Sequence, residues 1–426
     1  MPRRVAKMNI ISVATITLLG VTWAAAGMAA ERIPLTLSAA VARATSAHPA
    51  LRAAQLQVEI AGGQRDASAL APVTTVGLEV ENFAGHGSVS GFDAAETTLS
   101  IAGKFERGDK SKLRRTAGER RVDLARLGEL SIRLEVEAAT EQLFYRALAA
   151  QHSEKNATAA VAQGEQLLAI VQRRVEIGRS SLAENHTAVI RLTRANLNQE
   201  QAVRLARAAR NQLAMQWGMP VADFVAVDGN LMHIPHISDL SVLHDRVEAN
   251  AALLQLAGEL ELARVQQRLV AAQAKTDLKV SAGIRYLSEL NDAALLVGVN
   301  VPIGQQKRTL PLSNVARARQ AQIPLESEQL RRELFGTLVG LHAEIEQRKL
   351  ALTAIRDDMV PRADESLELY REGYDLGGFS LLELTEAQNM ALGLRQELVA
   401  VAAELHELRI ELSRLTGDSQ TLGGTT

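Results

Sequence analysis

Glu383 and Glu386 stand three residues apart at the end of YDLGGFSLLELTEAQ, the stretch from Tyr374 to Gln388. That spacing puts both carboxylates on one helix face, one turn beyond a break at Gly377 and Gly378. On spacing alone they read as ordinary solvated helix residues. His233 and His236, in HIPH, have a spacing that could hold a metal. They lie in a proline-containing connector without a cysteine or a carboxylate pair nearby, so they read as surface loop. His86, in FAGHGSVSG, is not read as a ligand, and His186 and His406 sit in helical stretches as solvated or packed residues. AGKFERGDKSK resembles a phosphate loop only in passing, since it lacks the second Gly-Lys-Ser/Thr step. No GxGxxG, Walker or GxSxG pattern occurs, and the chain has no cysteine for a thiolate site. These residues make no case for catalysis, so neither an enzyme nor a cofactor or metal centre is expected.

The elements that position the two glutamates occur twice. VEIGRSSLAENHTAV places Gly178 where Gly377 stands in the later stretch, an offset of 377 − 178 = 199. The same offset aligns Ser181 with Ser380, Leu182 with Leu381 and Glu184 with Glu383. LAMQWG, ending at Gly218, meets LSRLTG, ending at Gly417, again 199 apart. AHPAL at Ala47–Leu51 meets ANAAL at Ala249–Leu253, 202 apart, a drift that loop insertions produce. The chain is therefore read as a tandem duplication with too long a period for a solenoid. Each half has a helix, a pair of short alternating segments, and a very long helical stretch broken once at a glycine turn. Leu398, Val401, Leu405, Leu408, Leu412 and Leu415 recur at spacings of three and four, the seam of a coiled coil. No proline interrupts the helical reading from about 109 to 176, a length on the order of 100 Å if continuous.

The chain has 426 residues, 47% hydrophobic but only 3% aromatic, a balance that favours long Ala/Leu helices over a large compact core. A net charge of −2 gives no reason to expect a nucleic-acid partner, and runs such as KSKLRR read as solvated helix faces. The first thirty residues differ: Arg3, Arg4 and Lys7 precede the apolar IISVATITLLGV and the small-residue AAAGMAA. This is read as a signal peptide cleaved after Ala29 or Ala30, with no spanning helix later and no N-terminal cysteine for a lipid.

In VTTVGLEVEN, ETTLSIAGKF, DLKVSAGIRY and LLVGVNV, apolar residues alternate with small or polar ones, and Glu79, Glu81, Lys104, Lys279 and Arg285 fall on the polar face. Each segment is about ten residues long, the length a tilted strand needs to cross a bilayer. Four strands cannot close around a water-filled pore, so the barrel must be shared among protomers. The expected layout is a signal peptide at 1–30, a first repeat at 31–217 with strands about 73–83 and 96–105, a connector at 218–240, a second repeat at 241–417 with strands about 278–287 and 293–301, and a flexible tail at 418–426. A soluble periplasmic coiled-coil scaffold is the competing class, although a duplicated pattern with ten-residue strands does not suit it.

Over roughly residues 33 to 417 the sequence resembles the TolC-type outer-membrane efflux factors. The features that carry it are the duplicated plan, YDLGGFSLLELTEAQ with VEIGRSSLAENH, and VGVNVPIG after the fourth strand. ENFAG, AETTLS and GKFERGDK resemble the heavy-metal branch, the exit ducts of cation-exporting resistance–nodulation–division pumps. The resemblance implies a mostly α chain with a small membrane β part: a duplicated long-helix coiled-coil tunnel, with four strands per chain in a shared trimeric twelve-stranded β-barrel. It implies a homotrimer in outer-membrane lipid, extending into the periplasm and joined to an inner-membrane pump through a periplasmic adaptor. It implies that the tip turns Gly178, Arg179, Ser180, Ser181, Leu182 and Gly377, Gly378, Phe379, Ser380, Leu381 dock that adaptor. Glu383 and Glu386 would form acidic rings at the constriction, and Tyr374 and Glu184 would help hold the entrance closed. Phe379 occupies the place where a basic residue often completes that network, and Arg179 is the candidate substitute. The implied function is passive conduction of heavy-metal cations, with a multidrug or type I secretion duct as the alternative.

Overall fold

The computed structural model describes residues 34–417; the expected signal peptide at 1–30 and the expected tail at 418–426 lie outside the described residues. A two-residue strand β1 (Leu35–Thr36) leads into helices α1 (Leu37–Ala47) and α2 (Pro49–Ala69). Strands β2 (Thr75–Glu81) and β3 (Glu96–Phe105) follow, then helices α3 (Lys110–Glu176) and α4 (Leu182–Ala214). The connector holds β4 (Val227–Asp228), which pairs in parallel with β1. The second half comprises α5 (Leu240–Val247), α6 (Ala251–Gln273), β5 (Leu278–Leu287), β6 (Asp292–Asn300), α7 (Gln305–Ala354), α8 (Val360–Leu376) and α9 (Leu381–Thr416).

Helix α3 has 67 residues and is about 100 Å long at ~1.5 Å per residue. It contains no proline and is rich in Ala, Leu, Arg, Glu and Gln, all strong helix formers. Its first half runs beside α2 and α6, where Gly118 lets the Arg65 backbone approach and Gly258 accepts the Leu124 side chain. Its second half runs beside α4 and α9, with Asn156 bonding the Arg395 carbonyl. Helices α7 and α8 form one nearly continuous rod, interrupted by a π turn at Ile355–Met359. Pro361 has no N–H to donate four residues back, so the ladder widens just ahead of it.

The main core lies midway along the rods. Phe144 and Leu148 of α3, Leu213 of α4, Leu231 of the connector, Leu338 and Ile345 of α7 and Leu405 of α9 are all buried together. The connector is fastened there by Gln151, whose side chain bonds both the N–H and the carbonyl of Val227. His406 is fully buried, stacks on Tyr145 and bonds the Leu231 carbonyl at 3.0 Å. Arg409 forms a buried ion pair with Glu141. A second, smaller core (Leu167, Val171, Leu367, Tyr374, Leu384) sits at the far end of the rods.

The four longer strands form one antiparallel sheet in the order β2-β3-β5-β6. Its register aligns Val76, Ile101, Ala282 and Val297 in one row and Leu78, Leu99, Ile284 and Leu295 in another. These rows share a face, and their large side chains are exposed along its whole breadth. The opposite face carries Gly77, Ser100 and Gly283, then Glu79, Thr98 and Arg285. Within one chain the sheet stays open, with β2 and β6 as free edges. No described helix is long and apolar enough to cross a membrane.

Candidate functional site

Both long rods reverse at the tip, and both reversals use one backbone solution. At Gly178 the N–H returns to the Val175 carbonyl while Arg179 N–H reaches Arg174 O at 2.7 Å. At Gly377 the N–H returns to Tyr374 O while Gly378 N–H reaches Gly373 O at 2.8 Å. These paired bonds are Schellman motifs, which need a left-handed residue; φ is +72° at Gly178 and +92° at Gly377. Each following helix is started by a serine. Ser181 Oγ accepts from Glu184 N–H at 3.2 Å, and Ser380 Oγ accepts from Glu383 N–H at 3.3 Å. The matched signals Ser-Leu-Ala-Glu and Ser-Leu-Leu-Glu are helix-start signatures, a more specific reading than solvated faces for these two glutamates.

Glu383 completes a capping box. Its carboxylate accepts from Ser380 N–H and from Ser380 Oγ, both at 2.8 Å. The backbone donor and then the hydroxyl hold its carboxyl below the usual range. Glu386, one turn on, is exposed and makes no ion pair among the described residues. The two glutamates share a helix face, but one carboxylate is engaged and the other is free.

Tyr374 is 1% exposed, and its hydroxyl lies 3.2 Å from Ser180 Oγ of the first turn. It does not bond Glu184, which is half-buried and without an ion-pair partner among the described residues. The cation at this point is Arg174, near the end of α3. It donates to the Tyr374 carbonyl and reaches Asp375 O and Arg179 O at 3.4 Å each. The side chain of Arg179 points to no partner among the described residues; its backbone is what Arg174 holds. Arg174 was missed because neither glycine turn contains it, although a basic residue in the last turn of a helix is a capping signal. Phe379 packs on Tyr370, with ring centroids 4.7 Å apart, and lies over Gly373, where an added Cβ would clash with the ring. The position expected to be basic is thus an apolar lid on the turn.

His233 and His236 lie in the connector, and no cluster able to hold a metal occurs among the described residues. No protein-family model matches the chain. The cobalt-zinc-cadmium resistance protein CzcC of Cupriavidus metallidurans is 22% identical over 386 residues, 90% of each chain. The solved CusC channel superposes with a TM-score of 0.73 at 15% identity, over 89% of this chain and 91% of that one. The open-state MtrE channel of Neisseria gonorrhoeae gives 0.73 at 15% identity, over 92% and 91%. VceC of Vibrio cholerae gives 0.70 at 17% identity, over 89% and 96%. The chain shares the fold of these solved structures. Each superposition covers about nine-tenths of this chain, so the likeness extends over most of the described fold.

Proposed function

We propose that the chain is one protomer of a homotrimeric exit duct in the outer membrane, acting passively in a tripartite efflux system. The observation that carries this is the exposure of the sheet's apolar face at the head of the long rods: Val76 is 72% exposed, Leu295 83% and Val297 79%. A contiguous apolar face of this breadth calls for a non-aqueous neighbour, and strands of this length suit a bilayer. Joining three copies edge to edge would pair β2 of one with β6 of the next and abolish both free edges. The rods then extend the lumen through the periplasm to the tip. There the turns at 178–182 and 377–381 dock the adaptor, Glu386 faces the constriction, and Tyr374, Ser180 and Arg174 hold it closed. The inner-membrane pump supplies energy and substrate choice.

Heavy-metal cations are the substrate class that the likeness to a cobalt-zinc-cadmium resistance protein and the first hairpin both support. A multidrug or secretion duct is the second reading, since the fold likeness extends equally to other outer-membrane channels. The test is the tolerance of a strain lacking this chain. Loss of tolerance to zinc, cobalt and cadmium with unchanged drug tolerance supports the metal reading, and the opposite pattern transfers it to drugs. Recovery of the chain from the periplasm as a detergent-free monomer would overturn the duct.

A further inference from the structure

On the polar face of the sheet, Lys104 of β3 stands directly opposite Lys279 of β5. Side chains so paired lie about 5 Å apart at Cβ, and like charges there are destabilising. A structural role would give each lysine its own acid, and the surroundings do not. Asp277 accepts from Lys104 at 3.0 Å, but the same carboxylate also takes Lys110 Nζ at 2.6 Å and Arg107 N–H at 3.1 Å. Lys279 is exposed and has no ion-pair partner among the described residues. Lys104, Lys110 and Lys279 against Asp277 leave a net +2 in this group, and the acid beside it, Glu106, is taken up by Arg114 at 2.7 Å. The next row on the same face is Thr75, Ala102, Ser281 and Gly298, and Asn300 stands beside Lys279, so no bulky apolar neighbour covers the ammonium groups. Phe105 and Leu278, one residue further on, occupy the apolar face.

The other end of the polar face has the opposite sign. Arg285 bridges Glu81 at 3.0 Å and Glu96 at 2.6 Å. Glu79 lies on this face too, as does Asp292, in line with Glu81 and Glu96, and neither has an ion-pair partner among the described residues. The basic and acidic zones are six residues apart along β5, about 20 Å at ~3.3 Å per residue. That exceeds the ~8 Å screening length of physiological salt, so each zone acts on ions by itself.

We propose that Lys104 and Lys279 form a cationic ring at the base of the barrel lumen, which draws small anions such as chloride or phosphate and opposes the acidic constriction at the tip. This rests on the reading of the sheet as part of a trimeric barrel with its polar face inward. Rings of charged side chains set the ion preference of such pores. The duct is then selective twice, in opposite senses, and a metal cation traverses the barrel base with its charge balanced by anions drawn there.

The absence of native cysteine permits a direct test. Ser281→Cys puts one thiol on the lysine face, and Ala282→Cys puts one on the apolar face. Intact cells carrying either variant are treated with an anionic and a cationic impermeant methanethiosulfonate of similar size. Ser281→Cys is expected to react roughly ten-fold faster with the anionic reagent, in line with electrostatic focusing in a cleft. Adding Lys104→Gln and Lys279→Gln is expected to bring the ratio close to that of a free thiol, and Lys279→Glu to invert it. A Ser281→Cys ratio unmoved by any lysine change overturns the ring and leaves the duct standing. Labelling of Ala282→Cys without Ser281→Cys places water on the other face and removes both readings.

Discussion

Arg174 donates to the main-chain carbonyl of Tyr374 and sets its guanidinium over the ring of the same tyrosine, 4.4 Å from the centroid. One cation therefore ties the last turn of α3 to the last turn of α8, and through Arg179 O it also holds the first glycine turn. Removing it frees two helix ends at once. Hydrogen bonds from a charged donor are worth about 1.5–3 kcal/mol, or roughly ten-fold or more in an equilibrium between closed and open tips. Arg174→Ala should raise the open probability of single channels in planar bilayers by at least that factor. Arg174→Lys should restore only part of the closure, since an ammonium cannot reproduce the guanidinium fork over the ring.

Glu383 and Glu386 should separate when each is changed alone. Glu383→Ala removes a capping box and should lower the thermal midpoint of the solubilised protein, with little change in ion selectivity. Glu386→Gln should leave stability within about 0.5 kcal/mol and shift the reversal potential in a salt gradient toward anions. Equal selectivity losses from both would return Glu383 to the pore.

Gly373→Ala tests the apolar lid. A methyl there meets the Phe379 ring, so the ring must leave its place over the turn. Phe379→Ala should rescue most of the resulting loss of stability. That coupling can be read from a double-mutant cycle by thermal denaturation.

His406 makes the middle of the rods sensitive to acid. Burial, then the neighbouring Arg409 and His233, push its imidazole down to about 4, against the hydrogen bond that its ring N–H donates to the Leu231 carbonyl. The unfolded chain takes up the proton near pH 6.5, whereas the folded chain resists until about 4. The contribution of His406 is therefore full above pH 6.5, falls as pH drops toward 4, and is spent below that. A shift of this size is ~3 kcal/mol. Denaturant midpoints measured from pH 7.5 to 4 should show that decline, and His406→Leu should flatten it.

Leu295→Arg, on the exposed apolar face, should cost about 2–4 kcal/mol if the face meets lipid near the bilayer centre. Ser281→Arg, on the opposite face, should cost far less. Equal effects in detergent-solubilised unfolding would remove the bilayer from the account.

Most of the architecture was legible because its signals are local. Alternation in DLKVSAGIRY marks a strand by itself, and each glycine turn marks its own helix end. β5 and β3 occupy Leu278–Leu287 and Glu96–Phe105, and β2 spans Thr75–Glu81. The candidate site was less legible. The same Ser-x-x-Glu spacing supports either a solvated face or a capping box, and only the position of the Glu383 carboxylate distinguishes them.

The sequence by itself determined the rods, the turns, the strands and which residues share a face, because helical and strand periods act within a few residues of chain. Tertiary structure decided the pairings: Arg174 with the Tyr374 carbonyl, His406 with the Leu231 carbonyl, Glu141 with Arg409, Lys104 against Lys279. These partners are 175 to 268 residues apart. Periodicity tells a side chain which way to point and carries no information about what waits there; that is settled only when rods and sheet pack and close-range forces choose among the faces brought together.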